Sequence, residues 1–198
     1  LCFDWLYNSP QFTPALKQQV VAYISQIPKD GSGKWNWYPD GTYFNGVSKV
    51  LWGPPIWGLA THGDNPLADD YIDNGYTHRW MWIRNSLGYG PANLAVARGG
   101  CEPQGMDYAS GTLSNIVRWL AATKSASNQD LFDEGPALRE FMEFFVKSYY
   151  YTEDFIRRPE HGHNAHKETG YIHNAITALL VLMDEYSTSE EAHWASWW

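Results

Sequence analysis

Six stretches of the chain repeat apolar residues at intervals of three and four, and none shows convincing alternation at every second position. A period near 3.6 is that of a helix with one buried face, and a period of two is that of a strand. The sequence therefore predicts an all-α fold. Thr13 and Pro14 open the first helix as a cap and a first-turn proline, with Leu16, Val20, Tyr23, Ile24 and Ile27 on one face. The second helix is expected over about 44–61, kinked or restarted at Pro54 and Pro55. A GDNP turn with Asn65 as cap leads to the third, about 66–86, carrying Tyr71, Ile72, Trp80 and Ile83. The fourth, about 107–124, shows Leu113, Ile116, Val117 and Leu120 as its stripe. Leu138, Phe141, Met142, Phe145 and Tyr149 mark the fifth, about 130–150. Ile172, Ile176, Leu179, Leu180 and Met183 mark the sixth, about 169–186. Short connections alternate with long ones, as helical hairpins stacked in an α/α array produce. With 198 residues and 44% hydrophobic content, the chain is expected to form one domain, 1–198.

Composition narrows the partners. Formal net charge is −8, from 14 Lys and Arg against 22 Asp and Glu. No basic block is present, which argues against nucleic acid. No apolar run approaches a membrane-spanning length. The chain starts at Leu1 without Met, so it looks trimmed at the front, and the lack of a signal segment carries no information. Cys2 and Cys101 either pair or remain thiols. Eleven Trp and thirteen Tyr exceed what a core of this size readily hides. Their apolar faces and polar tips suit helix packing, and they also suit sugar rings.

One segment departs from simple helix packing. GGCEPQGMDYASGTL, 99–113, breaks for glycines and a proline, places Tyr108, and runs directly into a helix. A glycine loop of this kind serves close approach to a backbone. Tyr108 is then either presented to a ligand or packed at a helix start.

This segment and three others resemble heparinase II/III-like and alginate-lyase-like polysaccharide lyases. FDWLYNSPQFTPALKQQV resembles that family's helix "YDWLYD-x-LTPEQR", and NGVSKVLWGPPIWGLATHGDNP resembles its next helix, with an Asn-His pair and an "ALAL-x-GD" turn. GGCEPQGMDYASGTL is similar to "GG-x-x-x-EG-x-x-Y", and QDLFD to a later "-DLF-". The matches come in family order over about residues 3–134. The resemblance implies part of an incomplete (α/α) toroid, which in the family precedes β-sandwich domains. With six helices and no β region, the chain is expected to be a slice of a toroid or a short relative. Further domains or subunits would complete it.

The resemblance also implies a chemistry. Lyases of this kind cleave uronic-acid chains by β-elimination: the C5 carboxylate is neutralised, a base takes the C5 proton, and an acid protonates the departing C4 oxygen. Neutral donors can stabilise the enolate-like intermediate, and Tyr and His handle protons well. No metal, cofactor or nucleophile is required. Tyr108 matches the family tyrosine, three residues after Gly105. Asn45 matches the asparagine that binds the uronate carboxylate, although Gly46 follows it where the family often has His. Gln104 stands where the family has Glu, so the hydrogen bond is kept and the charge is not.

His163 and His166, in HGHNAH, are candidates for the missing proton-handling histidine. The three imidazoles of that loop lack the i, i+4 helical spacing of a metalloprotease, so no metal is expected. Arg98 adjoins the glycine loop and either neutralises an acidic sugar or forms a surface ion pair. Trp35 and Trp37, in KWNWYPDG, either form a sugar-stacking platform or pin their own loop.

The expected partner is an acidic polysaccharide or oligosaccharide, and the expected location secreted or periplasmic. Two alternatives stand beside the lyase. One is an α/α-toroid glycoside hydrolase, which needs two opposed carboxylates, with Asp40, Glu102 and Asp107 as candidates. The other is a non-catalytic glycan-binding or assembly module.

Overall fold

The structure is a computed structural model that describes residues 2–26, 53–89, 97–100, 106–132, 136–148, 150–151, 156–157 and 172–196. It is all-α among these residues, apart from a two-residue antiparallel pairing of β1 (Tyr150–Tyr151) with β2 (Ile156–Arg157). The helices are α1 (Cys2–Leu6), α2 (Pro14–Ile24), α3 (Pro54–Ala60), α4 (Ala68–Asp73), α5 (Met81–Arg84), α6 (Met106–Ser127), α7 (Pro136–Ser148), α8 (Ile172–Glu185) and α9 (Glu190–Ala195). A π-helical span, Asn74–Trp80, joins α4 to α5, and a second, Asn85–Tyr89, extends α5, so the expected third helix is one rod that is partly wider than an α-helix. The Met81 N–H reaches back five residues to Tyr76 O, the bond that defines the wider turn.

Local signals mark several starts. Thr13 caps α2 by accepting from Leu16 N at 3.3 Å, with Pro14 in the first turn. Pro54 begins α3, where a kink or restart was expected; the earlier part of that expected helix, 44–52, lies outside the described residues. Asn65 Oδ1 accepts from Leu67 N at 3.0 Å and its Nδ2 donates to Thr61 Oγ1, fixing the turn before α4. The fifth helix begins at Pro136 rather than near 130. Leu131 and Phe132 are buried outside any α-helix, because Asp130 Oδ1 accepts from Phe132 N at 3.0 Å and Tyr186 Oη donates to Phe132 O at 2.5 Å.

The 22-residue α6 is the axis of the molecule. Between Ala109 and Leu120 it is buried on nearly every side, including Ser110, Thr112 and Ser114. A helix with apolar contact all round is one surrounded by others. It packs on α8 along one side and on α3 along another. The main core joins Leu113, Ile116, Val117, Trp119 and Leu120 of α6 to Trp80 and Ile83 of the rod, Phe141 and Phe145 of α7, and Leu179 and Leu182 of α8.

Glycines permit the tightest crossings. A Cβ on Gly58 would lie 2.8 Å from Ala68 O and 2.9 Å from Tyr71 Cβ, so α3 and α4 touch through bare backbone. A small satellite cluster of Phe3, Phe12 and Val21 attaches α1 and α2 to α3. Its Phe3 ring meets Trp57 edge-on at 5.3 Å.

Candidate functional site

The glycine loop begins as a turn at residues 97–100. Ala97 N donates to Ser86 O at 2.9 Å, tying the turn to the end of the rod, and Gly100 N donates to Ala97 O at 3.1 Å. Gly99 and Gly100 have φ of +81° and +76°, the left-handed region that glycine occupies without strain. A Cβ on Gly100 would stand 2.6 Å from the Glu140 carbonyl carbon and 2.7 Å from Phe144 Cβ. Gly100 therefore lies flush against α7. Around Gly99, by contrast, an added Cβ would meet nothing within 4 Å.

The Glu140 carboxylate, rising from α7, is gripped by this turn. Arg98 donates to it through Nε at 3.0 Å to each oxygen and through Nη2 at 2.6 Å, and Gly99 N donates at 2.7 Å. A bidentate guanidinium with a backbone amide is a strong arrangement for a carboxylate. Burial alone would push the Glu140 carboxyl up. The Arg98 fork and the Gly99 amide outweigh burial and hold it below the usual carboxylate range, and the bond to Glu140 raises Arg98.

Tyr108 lies in the first turn of α6, as expected from sequence, and is half-buried. Arg98 is half exposed and engaged with Glu140, so the surface-pair alternative describes the contact it makes here. The other site residues expected from sequence, Asn45, Gln104, Trp35, Trp37, His163 and His166, lie outside the described residues, as does Cys101. Cys2 is an exposed, free thiol. Glu140 was not among the expected site residues. It sits 42 residues from Arg98, and no spacing rule links the two. The glycine pair signalled a close approach without naming the partner.

A second polar centre closes the far end of α6. The Lys124 ammonium bridges Asp130, at 2.7 Å, and Glu185 of α8. Its hydrogen bonds to both carboxylates raise its pKa, and the bond from Lys124 is the main cause that lowers that of Asp130. Two grooves flank this half of the helix. One, of about 500 Å³, is lined by Phe132, Lys124, Leu180, Val181, Asp184 and Glu185. The other, of about 550 Å³, lies among Asp4, Ile56, Leu59, Arg118 and Ala122. Ala121 and Ser125 border both. Along the helix, at 1.5 Å per residue, Tyr108 is about 15 Å from Arg118 and about 20 Å from Ala121.

Among the described residues, no helix is long and apolar enough to cross a membrane, and no cluster of His, Cys, Asp and Glu could hold a metal ion. The chain matches no protein family, no curated protein sequence and no solved structure.

Proposed function

We propose that this chain is a toroid portion of a polysaccharide lyase that cleaves a uronic-acid-containing glycan by β-elimination. The observation that carries this reading is Tyr108: it stands in the first turn of the central helix, only half-buried, just after the glycine loop. The all-α architecture of packed helices around α6 is compatible with an incomplete α/α toroid. In this reading Tyr108 moves a proton at the scissile linkage. Asn45 and Arg98 meet the sugar carboxylate, Gln104 holds the loop, Trp35 and Trp37 stack on sugar rings, and His163 or His166 supplies a second proton-handling group.

The test is a panel of alginate, heparan, chondroitin and hyaluronan followed by ultraviolet absorbance. A lyase leaves a conjugated C4–C5 double bond, and Tyr108→Phe is expected to reduce its turnover by roughly 100-fold or more, the usual size of a lost general acid or base. No absorbance from any polymer would overturn the reading. A second reading, a non-catalytic glycan-binding or assembly module, is favoured by the Arg98 contact: the guanidinium meets Glu140 in this structure, the surface-pair alternative for that residue. Binding without either absorbance or new reducing ends would select it.

A further inference from the structure

We propose that Arg98 and the Gly99 amide form a carboxylate-recognition seat, and that Glu140 occupies it in the resting chain as a built-in stand-in for an acidic sugar. The uronate identity of the ligand rests on the lyase reading above; the seat itself does not.

The argument begins with donor count. Three N–H groups converge on one carboxylate: Nε and Nη2 of Arg98 and N of Gly99, at 2.6 to 3.0 Å. A planar fork with a backbone amide matches any carboxylate, whether from a side chain or a sugar. Charge points the same way. Arg139, beside Glu140 on α7, adds a second positive charge, so among the described residues two guanidiniums act on one carboxylate. In a chain of net charge −8, that is a local reversal of sign. Access is also present, since the Arg98 side chain is 50% exposed against 23% for Glu140.

The turn has contacts besides the Glu140 side chain that set its position. Gly100 packs on the backbone of Glu140 and on Phe144, and Ala97 N bonds to Ser86 O. These contacts hold residues 97–100 in place when the carboxylate swings away. The Gly99 φ of +81° aims its N–H at the carboxylate without a side chain in the way. Glu140 thus competes with an incoming anion for the Gly99 amide, which the turn holds in place, and for the Arg98 fork beside it.

The experiment is a titration of the intact chain with sodium glucuronate, with glucose as the neutral control, read by calorimetry or NMR. Glu140→Gln is expected to bind glucuronate at least tenfold more tightly than the unmodified chain, and glucose no better. The double variant Arg98→Ala/Glu140→Gln is expected to lose the gain. Glu140→Asp, whose shorter side chain keeps the charge but reaches the fork less well, is expected to fall between and serves if Glu140→Gln does not fold. No gain in a folded Glu140 variant, or a gain that survives loss of Arg98, overturns the seat. A gain in glucuronate binding while no polymer of the panel is cleaved leaves the seat standing and removes the lyase reading. Cleavage by the unmodified chain with no gain does the reverse.

Discussion

Arg98 with Glu140, and Lys124 with Asp130 and Glu185, are two ion-paired centres built to opposite ratios. At the first, a guanidinium fork and an amide surround one carboxylate. At the second, one ammonium is divided between two carboxylates. Each fastens a connector to a helix: residues 97–100 to α7, and residues 128–132 to α8. The first has donors in excess and is suited to receive an anion. The second has carboxylates in excess and is a staple whose single cation is shared between them. The difference teaches that a surface ion pair is read by its stoichiometry as much as by its distances. At the donor-rich centre the Gly100 backbone also packs flush on α7.

The comparison breaks most visibly if the glycines are changed. Gly100→Ala adds a left-handed alanine and drives its Cβ into the α7 backbone. A loss of about 2–4 kcal/mol in chemical denaturation is expected, from the backbone conformation and the overpacking together. Gly99→Ala has a φ of +81° and no neighbour within 4 Å, so about 1–2 kcal/mol is expected. Equal losses at the two positions would contradict the flush contact assigned to Gly100.

The smallest effect is expected at the staple. Lys124→Met should lower Tm by less than either glycine change, because the ammonium and the Asp130 carboxylate are well exposed to screening solvent. Its pH dependence has a definite sign. Asp130 is depressed in the folded chain, so its contribution is present above the unfolded value near 4 and is lost as pH falls through the folded one. Lys124 is raised, so its contribution is present below the unfolded value near 10.4 and is lost as pH rises through the folded one. The Tm gap between the native chain and Lys124→Met should therefore be widest near neutrality and narrow toward both extremes. A gap that stays constant with pH would remove the electrostatic account.

Where polarity and period agreed, the sequence was legible. Thr13 and Pro14 marked the start of α2, and Leu113, Ile116, Val117 and Leu120 marked a core face of α6. Where a helix is apolar on several sides, period alone misplaced the face. In α2, Val21 is buried while Leu16 and Tyr23 are exposed. In α8, Ala175, Ala178, Leu179 and Leu182 face inward, and Ile176 and Leu180 of the expected stripe face outward. The alanines carry little hydrophobic signal, yet their small size lets α8 lie close to α6. The place of Tyr108 at a helix start was readable because glycine, proline and helical period fall together. Glu140 was not, since a contact across 42 residues depends on how the helices stack.

The two wide-turn spans of the rod bear on how this chain tolerates changes in length. A π-helical turn is an α-helix holding one residue more than it needs. Deleting a residue within Asn74–Trp80 would let the backbone tighten while Tyr71 and Ile83, on either side, keep their facing directions. The same deletion within Met106–Ser127 has no surplus to draw on and would swing everything beyond it by about 100°, one residue's turn. Lineages of this protein should therefore differ in length along the rod and not along the axis it supports.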